Sequence, residues 1–162
     1  VLRAPAGELV TLGDEIELIE SYLAVERARF EERLRVEIDV PPALLKVRLP
    51  ALLLQPLVEN AIKHGISPSR RGGALRIVAR TEAPQAGGAE SLRLEVRDTG
   101  VGVDRLPAPG GGGSTGGLGL LNVRRRLSGI YGERASLDFA SQPGQGTTVT
   151  LRLPISSEVN PG

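Results

Sequence analysis

From Leu52 to Ile62 the chain would be apolar on nearly every face of a helix, interrupted only at Gln55, Glu59 and Asn60. Such a helix is stabilised by removing its sides from water, so the rest of the fold must enclose it and leave its polar atoms at one end. Pro50 suits its first turn. Upstream, Thr11 can cap a helix, Asp14 and Glu15 favour its positive end, and Leu12, Ile16, Ile19, Leu23, Phe30 and Leu34 recur at three- and four-residue steps. The spacing predicts a long amphipathic helix from Leu12 to Arg33, with a stripe that suits packing on its own domain or against a partner helix. Val36, Ile38 and Val40 alternate with charged residues as a strand does, and Pro41 and Pro42 end it.

Further along, Ala74 to Arg80 and Leu92 to Arg97 read as adjacent antiparallel strands joined through Thr81 to Ser91. Leu118 to Ile130 is a third helix, and Ser136 to Ala140 and Thr147 to Leu153 are two more strands. Leu106 to Gly117, rich in Pro and Gly, is expected to be a mobile loop, and Ser156 to Gly162 an unpacked tail. This order predicts an α/β (α+β) two-layer sandwich, a mixed sheet covered on one face by helices and preceded by a long amphipathic helix.

The 162 residues suffice for one domain with a sizeable core. A formal net charge of +1 supplies no field to hold nucleic acid, so no nucleic-acid partner is expected. With no Cys there is no disulfide or thiolate chemistry, and a single His excludes a His-based metal cluster. No run approaches the ~18 apolar residues of a membrane span. The absence of Met points to a segment of a longer protein.

Four short segments carry the chemistry: Glu59-Asn-Ala-Ile-Lys-His-Gly65, Asp98-Thr-Gly-Val-Gly102, Gly117-Leu-Gly-Leu-Leu-Asn122 and Gly144-Gln-Gly-Thr147. A polar helix end, an Asp before a Gly turn and two further Gly-rich turns would line one nucleotide pocket. In this order they resemble the N, G1, G2 and Gly-Thr boxes of the GHKL nucleotide-binding fold, which serves sensor histidine kinases, gyrase-type ATPases, Hsp90 chaperones and MutL proteins. Tyr22-Leu-x-x-Glu26-x-x-Arg29-Phe30, Leu54-Gln-Pro-Leu-Val-Glu-Asn and Gly119-Leu-x-Asn122-Val-x-x-Arg126-Leu127 narrow the resemblance to LytS-like sensor histidine kinases. The resemblance implies a Bergerat-type fold over residues 35–155, a linking region with its long helix over 1–34 and a tail at 156–162.

It also implies ATP and Mg2+ as cofactors. Asn60 offers an uncharged hard oxygen to Mg2+ carried by ATP, and Lys63, one α-helical turn along, can reach a phosphate. Glu59 is a candidate for orienting a water or the nucleophile. The Asp98 carboxylate accepts from the exocyclic amine of adenine and repels the oxygen of guanine, while Gly100 and Gly102 let the backbone approach the base. Thr147 can donate to the base or to a bridging water. Gly117, Leu118, Gly119 and Leu120 open a helix whose N–H groups favour phosphate. His64, beside Lys63, is expected to be a pocket-wall or structural residue, since the resembled family's phosphoacceptor lies upstream in a motif that this chain lacks. Where gyrase-like enzymes carry a water-activating Glu, four residues before the box Asn, this chain has Pro56, which disfavours hydrolysis by the chain itself.

The resemblance thus implies γ-phosphoryl transfer from Mg-ATP to a histidine outside the chain. It implies a homodimeric parent anchored at the cell membrane, this domain on the cytoplasmic side, and a response regulator as partner. The alternative is a non-catalytic nucleotide-sensing module.

Overall fold

The computed structural model describes residues 8–83, 90–102 and 115–155, with residues 115–118 described by their backbone alone. The expected loop from Leu106 and the tail from Ser156 fall largely or wholly outside the described residues. A short strand β1 (Leu9–Thr11) runs directly into helix α1 (Leu12–Phe30). Their junction is a capping box: Asp14 N–H donates to Thr11 Oγ1 and Thr11 N–H to Asp14 Oδ2, each at 3.1 Å. A 3-10 turn (Glu31–Arg33) carries the chain to strand β2 (Leu34–Asp39).

Strand β3 (Arg48–Pro50) pairs antiparallel with β1, Leu9 facing Pro50. Pro50 therefore closes a strand and does not open a helix. The helix starts four residues later as α2 (Leu54–Asn60), where Pro56 lies in the first turn and its missing N–H deprives no carbonyl of a partner. Neither β1 nor β3 was legible beforehand, since three residues are too few to show a period.

The main sheet has the order β2, β4 (Gly73–Glu82), β5 (Ser91–Asp98), β7 (Gly146–Pro154), β6 (Ser136–Gln142). β2 and β4 are parallel and the remaining pairs antiparallel, so the sheet is mixed as expected. Helix α3 (Thr115–Tyr131) precedes β6. The apolar stripe of α1 is answered by burial: Ile16, Ile19, Leu23 and Phe30 share one apolar cluster with Leu54, Leu57 and Ile62, with Leu75 and Leu94 of the sheet, and with Val123 and Leu127 of α3.

The opposite face of the sheet needs no cover because it is a lattice of charges. Arg80 meets Asp39 at 2.6 Å, Arg97 meets Glu95 at 2.8 Å and Arg152 meets Asp138 at 2.7 Å. Such exposed pairs add little stability, but they keep this face from exposing apolar surface. Among the described residues, two non-glycine residues of the helical layer have positive φ: Glu31, at +55° after the end of α1, and Leu52. Leu52 has φ +60°, a left-handed conformation costing a non-glycine residue about 1–2 kcal/mol.

Candidate functional site

Asp98 ends β5, the central strand of the main sheet, with Leu75 on one side and Thr147 on the other. Its carboxylate is 3% exposed, and Oδ1 accepts the Gly100 N–H at 2.9 Å. Burial pushes the carboxyl up to about 6, against the pull of the Gly100 and Thr147 backbone amides. No ion pair is made by this group among the described residues.

Two close approaches bring the segments together. A Cβ on Gly65 would stand 2.5 Å from Asp98 Oδ1, and one on Gly100 would fall on the Gly65 carbonyl. Only glycine at both positions lets the end of the α2 region pass across the Asp98 turn, and the Val101 N–H then donates to the Gly65 carbonyl at 3.0 Å. The last segment closes from the other side. Gly146, at φ +82°, lies against the Asp98 carbonyl, and Gly102, at φ +68°, against the Gln142 carbonyl. The Gly144 N–H donates to the Val101 carbonyl at 2.6 Å.

Thr147 is buried, and its Oγ1 lies 2.7 Å from Ser141 Oγ on the neighbouring edge strand. Ser141 also donates to the Gly146 carbonyl at 3.1 Å. Sequence reasoning missed Ser141, although it lies five residues before Gly146 in a hairpin and alternation places it on the same face as Thr147.

The α2 helix does not continue as a plain α-helix. Residues Ala61–Ile66 form a π-helical stretch, with the Ser67 N–H donating to the Ile62 carbonyl at 2.8 Å. With i to i+5 bonding, three residues span less of a turn than in an α-helix, so Lys63 is displaced around the axis from Asn60. Asn60 and Glu59 are half-buried and Lys63 is exposed. Glu59 accepts from Gln55 Nε2 at 3.1 Å and lies on the α1 side. Burial, then the Glu26 and Glu59 carboxylates, push the Tyr22 hydroxyl of α1 up to about 12. His64 is half-buried, and its Nε2 has no hydrogen-bond partner among the described residues.

Helix α3 begins at Thr115, three residues earlier than expected, so Gly117 and Gly119 lie inside its first two turns. The Gly117 N–H belongs to the free first turn, whereas the Gly119 N–H has an intrahelical carbonyl available. Among the described residues, no atom outside its own helix backbone lies within 4 Å of where a Cβ on Gly119 would stand. Leu120 is turned into the core, and the Leu118 side chain lies outside the described residues. Two of the α3 arginines are bound to backbone: Arg124 donates to the Leu137 carbonyl and Arg126 to the Leu52 carbonyl, each at 3.1 Å.

A cleft of about 870 Å³ reaches Asp98, Ser141, Gln142 and Gly146. Arg97 and Asp138 of the charged face also line it, so it wraps the sheet edge at β6. Contacts therefore unite the segments of Gly65, Asp98 and Gly146, while among the described residues none ties Gly119 to them.

Residues 46–157, which carry the buried Asp98 and the glycines around it, match one family model: the histidine kinase-, DNA gyrase B- and HSP90-like ATPases. The chain belongs to this ATPase family. Among curated relatives, the sensor histidine kinase BtsS of Escherichia coli K12 is 41% identical over 97% of this chain. The sensor protein LytS of Staphylococcus haemolyticus is 38% identical over 94%. The chain spans 26% of each of these two relatives, about a quarter of their length.

Among solved structures, the histidine kinase domain of the Erythrobacter litoralis EL346 blue-light activated kinase superposes with a TM-score of 0.64 at 21% identity, covering 95% of this chain and 66% of that one. The catalytic domain of histidine kinase ThkA gives a TM-score of 0.65 at 14% identity, with 91% and 98% covered. Both share the fold of this ATPase-family domain. Among the described residues, no helix is long and apolar enough to cross a membrane.

Proposed function

We propose that this chain is the ATP-binding catalytic domain of a sensor histidine kinase, passing the γ-phosphoryl of Mg-ATP to a histidine upstream in the parent protein. The observation that carries the reading is the buried Asp98, held by glycine contacts from two other segments, with one carboxylate oxygen on the Gly100 amide. Its remaining acceptor capacity suits the adenine amine, with the Thr147 and Ser141 hydroxyls alongside. Gly100 and Gly102 lie under the base, and the Gly117 N–H, in the free first turn of α3, receives phosphate, with Gly119 leaving room for its approach. Lys63 neutralises phosphate charge and His64 forms a wall.

Among the described residues there is no cluster of three or more His, Asp or Glu fit to hold a metal. That suits Mg2+ arriving on the phosphates and needing one protein oxygen, from the Asn60 amide, besides its waters. Bound there, the ion would neutralise charge developing on the phosphates. Glu59, held by Gln55 beside Tyr22, orients the incoming imidazole. The imidazole nitrogen forms the new bond to phosphorus as the bond to the ADP oxygen breaks, and a response regulator takes the phosphoryl onward. In this proposal residues 1–34 link the histidine-bearing dimerisation region to the nucleotide domain at 35–155, and residues 156–162 are a tail. The parent is a membrane-associated homodimer with this domain on its cytoplasmic side.

The deciding experiment adds the upstream histidine segment to the chain and follows radiolabel from γ-labelled ATP. Acid-labile, base-stable phosphohistidine is expected. A folded, ATP-binding protein that takes no label would instead be a nucleotide-sensing module. In the same assay Asn60→Ala is expected to bind ATP with no dependence on Mg2+, read by titration with and without EDTA.

A pH dependence follows from Asp98. Its carboxyl, raised from 3.8 to about 6, favours the protonated form in the empty fold. The stability that proton contributes is complete below about pH 4 and is lost as pH rises through about 6. Adenine requires the ionised form. ATP affinity is therefore expected to be about tenfold weaker at pH 5 than at pH 7, a step that Asp98→Asn should lack when the two proteins are titrated side by side.

A further inference from the structure

The turn at Leu52 is gripped by two helices at once. Glu15, in the first turn of α1 and only 1% exposed, accepts the Leu52 N–H through Oε1 and the Leu54 N–H, at 3.2 Å, through Oε2. Arg126 of α3 donates to the carbonyl of the same Leu52 at 3.1 Å. Between these grips Leu52 keeps a positive-φ backbone, which a leucine does not adopt for its own sake. Leu54 opens α2, whose last two residues are Glu59 and Asn60. The peptide gripped by Glu15 and Arg126 thus leads directly into the helix that bears Glu59 and Asn60, which runs on into the π-helical stretch Ala61–Ile66.

We propose that this clasp couples the upstream helix to the nucleotide site. It rests on the ATP-binding reading above and adds to it a regulation of the same site. Phosphate held at the start of α3 draws that helix inward about its buried Leu120, Val123 and Leu127. Arg126 transmits the movement to the Leu52 peptide, and Glu15 transmits it to α1. By reciprocity, a displacement of α1 from upstream alters ATP affinity by the same factor. Glu15 and Arg126 are positioning residues: neither touches nucleotide.

Amide hydrogen exchange at Leu52 and Leu54 in the 162-residue chain tests this. Saturating Mg-ATP is expected to slow both amides at least tenfold in wild type. In Arg126→Ala that slowing should disappear and ATP affinity fall about fivefold, while the β5 amide of Leu94 stays protected and reports an intact core. Arg126→Lys, which keeps charge and stem, serves if the alanine variant does not fold and should give the same loss in smaller measure. Glu15→Gln should also weaken ATP, and the double variant should lose no more than the worse single one. Bound ATP with no change at the two amides, or full independence of the two substitutions, overturns the coupling. Failure of wild type to bind ATP overturns the nucleotide reading along with it, and is distinguished because affinity is measured first.

Discussion

Asp98→Asn is expected to weaken ATP binding by ten- to a hundredfold at pH 8 while leaving the protein at least as stable as wild type. The two effects separate because the carboxylate is costly to the empty fold and useful only to the ligand. Raising its carboxyl from 3.8 to about 6 corresponds to on the order of 3 kcal/mol against ionisation in place. The amide of Asn carries no charge to desolvate, and its oxygen can still accept the Gly100 N–H. That leaves its NH2 facing the base, where it meets the adenine amine donor to donor. The loss of a hydrogen bond to a charged group is worth about 1.5–3 kcal/mol. The same NH2 can donate to a guanine oxygen, so the preference for ATP over GTP should flatten or invert. Calorimetric titration with both nucleotides, alongside urea unfolding, reads both effects. An unchanged ATP preference in the variant would remove Asp98 from base recognition.

Gly100→Ala is expected to destabilise the fold by about 3 kcal/mol, at the upper end of overpacking substitutions. The added methyl meets the Gly65 carbonyl, a backbone atom that cannot turn aside, and its relief requires parting the α2 region from the Asp98 turn and losing the Val101 to Gly65 hydrogen bond. Gly119→Ala provides the contrast. Among the described residues no atom outside the helix backbone stands within 4 Å of its Cβ position, and a glycine inside a helix is less favourable than alanine by about 0.5–1 kcal/mol, so that variant should unfold at higher urea. Its ATP affinity should nevertheless fall if phosphate approaches α3 there. A Gly119→Ala protein that is both more stable and fully competent for ATP would detach α3 from the phosphate site. Midpoints of urea denaturation measure both substitutions on one scale.

Much of the helical and strand content was legible in advance because long periodic segments report their own burial. The stripe of α1 and the alternation of β4 and β5 led to elements within a few residues of those observed. Errors gathered where the local signal is short or ambiguous. Pro50 is compatible with a helix start and with a strand end, and only its pairing with Leu9 decides between them. The π-helical widening after Asn60 leaves no trace in composition, and it changes which side chains share a face. Glu15 read as a charge at a helix start. Its actual partners are amides 37 and 39 residues away.

The candidate site divides in the same way. Asp98, Thr147 and the glycine turns were visible as residue types suited to a nucleotide, whereas Ser141 was not, because a lone serine in a strand carries no signal until its neighbour across the hairpin is known. In the sequence Arg126 was only a member of a short motif, yet it is committed to the carbonyl of Leu52, in the turn before α2.

By itself, the order of the residues determined which stretches are helix and strand, which face of each turns inward, and which short segments could handle a nucleotide. These are properties of spacing over a few residues, set by side-chain periodicity and backbone freedom. Only the tertiary structure decided that Gly65 passes across Asp98, that Gly146 closes on it from β7, and that Leu52 is held between α1 and α3. Those contacts join atoms dozens of residues apart, and their cost or benefit exists only once the two segments are within a few ångströms of each other.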